Sequence, residues 1–303
     1  MKKLFVFMFT ILFICVTSVT FFGCSPSEPL ESNQADPNEL DPNNLLIMSY
    51  NIKTVMVDAE IKKTELAISN RNPRILDNII LIMPDVFGLQ EAIEVQTVFL
   101  EENFSDIYDG VVTYRSEPGK LPLAEAASVY YKKEKFELLD SGTFWLSETP
   151  DVMSKGWDAN NYRICTYVKL KIKENGKIFN FYNTHLDFGA ISVPESVALI
   201  LSRVDFSCPC ILVGDFNFQS NTVHYQAINE LMDDSRYIAE HTTDAGTINS
   251  FNPELPTKII DHLFLSKGDF TADSFTVVDD DLERYGYYAS DHFPVYANIS
   301  LIG

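Results

Sequence analysis

The chain has 303 residues, with 43 acidic side chains against 23 basic ones and a formal net charge of −20. That balance excludes a basic face broad enough to neutralise long nucleic acid, although a bound divalent cation could still admit a phosphate substrate. With 46% hydrophobic and 13% aromatic residues, the composition suits a packed core of one large or two ordinary domains and excludes a disordered chain.

Lys2 and Lys3 precede an apolar run from Leu4 to Phe22, followed by Gly23-Cys24-Ser25. Lysines before a hydrophobic stretch read as an export signal over residues 1–23, and the run is also long enough to span a membrane. Gly-Cys at its end resembles a bacterial lipoprotein signal in which Cys24 becomes the lipidated first residue. Phe21 and Phe22 depart from the leucine and small residue more typical there. An uncleaved anchor and ordinary secretion are the alternatives, and all three send the domain out of the cytoplasm. Residues 25–44, rich in Pro, Asn and acidic side chains, read as a flexible tether, so the folded domain is expected over 45–303. Of the five cysteines, Cys165, Cys208 and Cys210 fall within that domain. Cys-Pro-Cys is not a zinc spacing, so plain thiols are expected, with one disulfide open as an alternative.

Strand-like runs follow in order: Leu45–Asn51, Val86–Gln90, Ala127–Tyr131, Arg163–Ile172, Ile178–Thr184, Ile211–Asp215, Ile259–Leu265 and Val295–Leu301. Between them, residues 70–83 carry Ile75, Ile79 and Ile82 at helical spacing behind Asn70 and Asn72 as candidate N-caps. Residues 194–206 repeat the pattern after Pro194, and 222–232 form a third candidate helix. Strands outnumber helices and nothing repeats. A single α/β domain with two packed sheets therefore fits better than a parallel barrel, in which each strand needs its own helix.

Polar residues gather at the strand ends: Ser49-Tyr50-Asn51, Gln90-Glu91, Thr184-His185-Leu186-Asp187, Gly214-Asp215-Phe216-Asn217, Asp261-His262 and Ser290-Asp291-His292. Each has an ordinary structural reading, Glu91 as a helix cap and Asp215–Asn217 as an Asx turn among them. Together they offer oxygen ligands for a hard cation beside general acid–base groups. His224, His241 and His262 have no such company and read as structural or exposed. Trp145 and Trp157 read as packing aromatics.

In that order these six pieces resemble the endonuclease/exonuclease/phosphatase superfamily, the deoxyribonuclease I-like fold, across residues 45–303. The stretch 139–150, Lys155-Gly156-Trp157-Asp158 and Arg163 look like an exported bacterial branch loosely related to the deadenylases. The resemblance implies an α/β four-layer α/β/β/α sandwich of two mixed sheets with outer helices. It implies Glu91 as the principal ligand of Mg²⁺ or Mn²⁺, with Asn51 and Asp291 completing or buttressing that site. Asp215 would activate the attacking water and Asn217 would position water and phosphate. His292, held by Asp261, would donate to a phosphoryl oxygen, with His185 as a second donor paired to Glu125. Arg163 would clamp the phosphate, since guanidinium forks match phosphate oxygens.

Two departures bear on the substrate. Lys53 stands where the abasic-site repair enzymes carry a metal-binding aspartate, which disfavours that activity. Phe188-Gly189-Ala190 follows Asp187 where a histidine or asparagine and an Arg-rich helix start are expected, and the loop Tyr114–Glu125 is short. The function expected is a metal-dependent phosphoesterase acting on a phosphodiester or phosphomonoester, small or membrane-presented, as a monomer held to the membrane through Cys24. An extracytoplasmic nuclease is the alternative, disfavoured by charge, and a non-catalytic binding module on the same scaffold is the remote one.

Overall fold

The computed structural model describes residues 41–117, 124–255 and 257–302. The export signal and nearly all of the tether therefore lie outside the described residues. Among those described, no helix is long and apolar enough to cross a membrane.

Thirteen strands are described: β1 (Asn44–Asn51), β2 (Val86–Ile93), β3 (Tyr108–Val111), β4 (Glu125–Lys132), β5 (Phe136–Trp145), β6 (Ile164–Ile172), β7 (Ile178–His185), β8 (Cys210–Asp215), β9 (Met232–Asp234), β10 (His241–Thr242), β11 (Asp261–Ser266), β12 (Phe270–Val277) and β13 (Val295–Leu301). Seven helices join them: α1 (Val57–Lys62), α2 (Ile68–Ile82), α3 (Glu94–Phe104), α4 (Ser192–Arg203), α5 (Val223–Asn229), α6 (Ser235–Ile238) and α7 (Asp281–Tyr285). One sheet runs β10-β12-β13-β1-β2-β4-β3 and the other β5-β6-β7-β8-β11-β9. Both are mixed, because β1–β2 and β7–β8 pair in parallel while their other neighbours run antiparallel.

Three apolar clusters set the layers. The central one joins Ile47, Val86, Val129 and Val295 of the first sheet to Val168, Phe181, Val213 and Leu263 of the second. On the outer face of the first sheet, Met48, Tyr50, Phe87 and Leu89 pack on Ile75, Ile79, Leu100 and Phe104 of α2 and α3. Outside the second, Tyr182, Leu212 and Phe264 pack on Val197, Ile200, Tyr225 and Ile228 of α4 and α5. Alternate side chains of each strand thus serve two cores, and each fully buried Val, Ile or Phe contributes on the order of 1.5–3 kcal/mol. The sandwich is α/β/β/α, as expected.

Helix starts differ from the sequence reading. α2 begins at Ile68 with Ala67 as N-cap, so Asn70 and Asn72 are inside the helix; Asn70 instead donates to the Thr64 carbonyl at 2.9 Å. The start of α4 is held by Asp158, whose carboxylate accepts the Ile191 and Ser192 amides at 3.1 and 2.7 Å. That contact gives Asp158 of the Lys155–Asp158 stretch a structural role. Cys165, Cys208 and Cys210 are free thiols.

Between the sheets one polar tie reaches toward the site. Gln90 donates to Asn183 Oδ1 at 2.7 Å, and Asn183 donates to the Leu89 and Ser128 carbonyls. Gly88 makes room for it, because a Cβ there would lie 2.4 Å from Asn183 Cγ.

Candidate active site

The parallel β7–β8 pairing and antiparallel β8–β11 pairing place His185, Asp215 and Asp261 opposite one another at a single level of the second sheet. From the first sheet, Asn51 and Glu91 arrive at the same edge. Glu91 lies in a β-bulge, where the register with β4 shifts between Leu89 and Ala92, and its φ of 59° is in the left-handed region. A non-glycine residue held there is strained, and bulges re-aim side chains, here toward the site.

Asn51 links the sheets: its Nδ2 donates to Glu91 Oε1 at 3.2 Å and to Asp215 Oδ2 at 2.9 Å. Its Oδ1 accepts the Lys53 amide. The carboxamide thus buttresses the two carboxylates. Glu91 Oε2 accepts the Thr54 amide at 3.1 Å and faces Lys53 Nζ at 3.5 Å, while the same ammonium lies 3.0 Å from Asp291 Oδ2. Burial would raise the Glu91 carboxyl, but Lys53 and the Thr54 amide outweigh it and hold it below its ordinary value.

Asp215 is the hub. Its Oδ2 lies 3.4 Å from His185 Nε2 and 3.6 Å from His292 Nε2, and its Oδ1 accepts the Asn217 amide at 3.0 Å. Behind His292, Nδ1 meets Asp261 Oδ2 at 2.9 Å. Thr247 Oγ1 accepts the Asp261 amide and so fixes that strand end. Burial, opposed by the His292 cation, pushes the Asp215 carboxyl up to about 7. For His292, burial opposes the charge, but Asp261 and Asp215 overcome it and raise the imidazolium to about 10. His185 moves the other way, held neutral by burial and by the Arg163 and Arg115 cations. One charged and one neutral imidazole therefore flank one buried carboxylate.

Asp215, Asp261 and His292 have ligand atoms within 4.8 Å of one another. A hydrogen bond from His292 Nδ1 to Asp261 and an ion pair at 3.6 Å from its Nε2 to Asp215 make them a carboxylate–imidazolium–carboxylate chain whose cation is a proton. The carboxylates that hold a separate cation are Glu91 and Asp291, and the cation is Lys53. The Glu91 and Asp291 carboxylates offer oxygen ligands suited to a hard divalent ion, while the Asn51 carboxamide turns its Nδ2 to Glu91 and braces it.

Two expectations are corrected, those for Glu125 and Arg163. Glu125 does not pair with His185; its carboxylate takes Arg115 Nη1 at 2.7 Å, a full charge at closer range than a neutral imidazole offers. Burial, partly offset by Arg115, pushes the Glu125 carboxyl up to about 6. Arg163 is not placed as an open clamp: its Nε donates to Asp187 at 3.3 Å and its Nη1 is buried with no protein partner. The cavity it lines with Glu91, Arg115, Glu125 and His185 measures about 10 Å³, room for one water molecule rather than a phosphoryl group. Asn217 spends its Nδ2 on the Leu186 carbonyl at 2.8 Å, bracing the His185 strand end. His262 is buried against Asp234 and the Phe218 carbonyl, a structural histidine as read.

Sequence reading missed Arg115 and Arg71. Arg115 is held by Glu125 and by Trp145, whose Nε1 donates to its carbonyl at 2.8 Å. Arg71 is fully buried and donates to the carbonyls of Leu66, Ile52, Lys53 and Thr54 at 2.8–3.0 Å, with Ala289 at 3.4 Å. It binds the loop after β1 to the segment that carries Asp291 and His292. The signal was an arginine on the apolar face of α2, in line with Ile68, Ile75 and Ile79. Removing the guanidinium strands several buried carbonyls, so Arg71→Met is expected to lower stability by more than about 3 kcal/mol in urea unfolding.

Residues 48–292 match the model of the endonuclease/exonuclease/phosphatase family. The chain belongs to that family. Its members hydrolyse phosphoester bonds, and this protein is such a hydrolase. A family protein from Bacteroides thetaiotaomicron is 32% identical, with a TM-score of 0.77 over 86% of this chain and 98% of that one. A mannosyl-6-phosphatase from the same organism is also 32% identical, with a TM-score of 0.74 over 85% of this chain and all of the other. An uncharacterized protein of Acanthamoeba polyphaga mimivirus is 26% identical over 243 residues, 75% of this chain and 90% of its own.

Proposed function

We propose a divalent-metal-dependent phosphomonoesterase or phosphodiesterase in which Asp215 activates the attacking water. The observation that carries this reading is the Asp215 carboxylate, buried, raised to about 7 and flanked by charged His292 and neutral His185. A base with that affinity takes a proton from water near neutral pH and can release it again. As the new oxygen–phosphorus bond forms, the bond to the ester oxygen breaks. His292 Nε2 donates to the phosphoryl oxygen that gains charge, and Asp261 keeps its proton in place from behind. Glu91, braced by Asn51, and Asp291 would hold Mg²⁺ or Mn²⁺, which would supply charge stabilisation at the phosphoryl oxygens.

A small or membrane-presented ester is the substrate class proposed. It is supported by the net charge of −20, unsuited to a long polyanion, and by the relative whose name is mannosyl-6-phosphatase. Export and lipid anchoring belong to the same proposal, supported by Lys2-Lys3, the apolar run and Gly23-Cys24.

The full-length chain should release p-nitrophenol from p-nitrophenyl phosphate or its bis ester in Mn²⁺ or Mg²⁺, and chelation should abolish release. A monoester preference is expected. Release undiminished by chelator would overturn the metal-dependent reading.

A further inference from the structure

Lys53 is the one site residue whose type runs against its surroundings, a flexible cation seated between two carboxylates that the proposed function gives to a metal. Its ammonium lies 3.5 Å from Glu91 and 3.0 Å from Asp291, whose side chains are only 12% and 14% exposed. A cation between two carboxylates so sheltered from water is attracted to both. At its root the residue is fixed. Its amide donates to Asn51 Oδ1 at 3.1 Å, its carbonyl accepts Gln96 Nε2 at 3.1 Å and Arg71 Nη2 at 3.0 Å, and its φ of 55° is left-handed. The side chain itself is 27% exposed, so four methylenes connect an immobile backbone to a head group with a path to solvent. Lysine suits that arrangement, being a compact point charge on a flexible stem, where a planar guanidinium would bind the pair in a fixed fork.

Resting on the metal-dependent reading of this site, we propose that the Lys53 ammonium and the divalent cation are alternative occupants of the Glu91–Asp291 carboxylate pair. Lys53 then has two effects of opposite sign. Without metal its ammonium lies between the two carboxylates and holds them in register, next to the Asn51 link to Asp215. In the presence of metal it is a competitor, so the measured affinity is the intrinsic one reduced by the work of displacing the ammonium. The displaced head group remains tethered within a side-chain length of the site, adding positive charge where a phosphate would bind.

The test is Mn²⁺ binding to the full-length chain, read by calorimetry and by loss of the free-ion electron paramagnetic resonance signal, both independent of turnover. Lys53→Met should bind Mn²⁺ about tenfold more tightly than wild type, since removing a partly buried competing ion pair relieves a cost of that order. In chelator its melting temperature should be lower than wild type, and saturating Mn²⁺ should raise it by a larger increment. Lys53→Arg, which keeps a cation in a more rigid head group, should bind Mn²⁺ no more tightly than wild type. If Lys53→Met does not fold without metal, Lys53→Gln serves for the same comparison. A lysine that was only a structural strap would lower stability and leave Mn²⁺ affinity unchanged or weaker, and that result overturns the proposal. Chelator-sensitive ester hydrolysis with unchanged Mn²⁺ affinity in the variant would sink the competition alone. Absence of both Mn²⁺ binding and hydrolysis in the wild type would remove the metal-dependent reading with it.

Discussion

Asp215→Asn should reduce kcat on p-nitrophenyl phosphate by about 10³–10⁴-fold while leaving the protein folded, because a general base typically contributes up to that factor. The replacement is isosteric: Oδ1 can still accept the Asn217 amide, but the amide nitrogen at the Oδ2 position can accept neither a proton nor the Asn51 Nδ2 hydrogen bond. Stability should fall by about 1–3 kcal/mol, short of unfolding, since the buried Asn51 Nδ2 loses its Asp215 acceptor. A carboxyl raised to about 7 fixes the acid side of the wild-type pH profile. Only ionised Asp215 can act as base, so kcat/KM should rise with pH and level off above about 7. Circular dichroism and the melting temperature check folding, and steady-state kinetics check the loss. A variant retaining more than a tenth of wild-type kcat would show that another group takes the proton.

Much of this site could be read in the sequence because its residues stand at strand ends, and a strand end is marked locally by a hydrophobic run that stops. Asn51, His185 and Asp215 close strands in this way, Asp261 opens one, Glu91 sits two residues before the end of β2 and Asp291 and His292 lead into β13, and the fold brings them to one edge. What could not be read depends on register across the sheets. Nothing local distinguishes Arg115 from His185 as the partner of Glu125, since that choice depends on how Tyr114 pairs with Ala126. The occupation of two carboxylates by Lys53 likewise follows from the β-bulge that turns Glu91, and a bulge leaves no period to detect. Among the elements, β5 was missed because its residues 137–141 are exposed and mostly polar, as an edge strand allows. α3 was missed because its apolar residues do not gather on one face, and it is held in place by packing of Leu100 and Phe104 on the sheet.

Asp261→Asn tests the other half of the chain and should change the shape of the pH profile as well as its height. In the wild type Asp261 is the leading influence that overcomes burial and raises His292 to about 10. His292 is therefore protonated across the range where Asp215, at about 7, becomes ionised, and both groups are in the working state between those values. With a neutral carboxamide at 261 the burial remains and its principal counterweight is gone, so the imidazolium should lose its proton well below about 10, with only Asp215 and Asp291 still favouring its charge. For Asp215 two changes oppose each other, since Asp261 repulsion disappears along with the His292 cation, and its titration should stay near neutral pH. The two limbs then cross: base ionised requires the pH to be high, and acid protonated requires it to be low. The wild-type plateau should collapse to a low maximum near neutrality, with kcat/KM at pH 8 down by about 10²–10³-fold. Proton NMR of the His292 ring would report the moved titration directly. An alkaline limb still near 10 in Asp261→Asn would mean that His292 draws its charge from Asp215 alone, and the division into one base and one buttressed acid would fail.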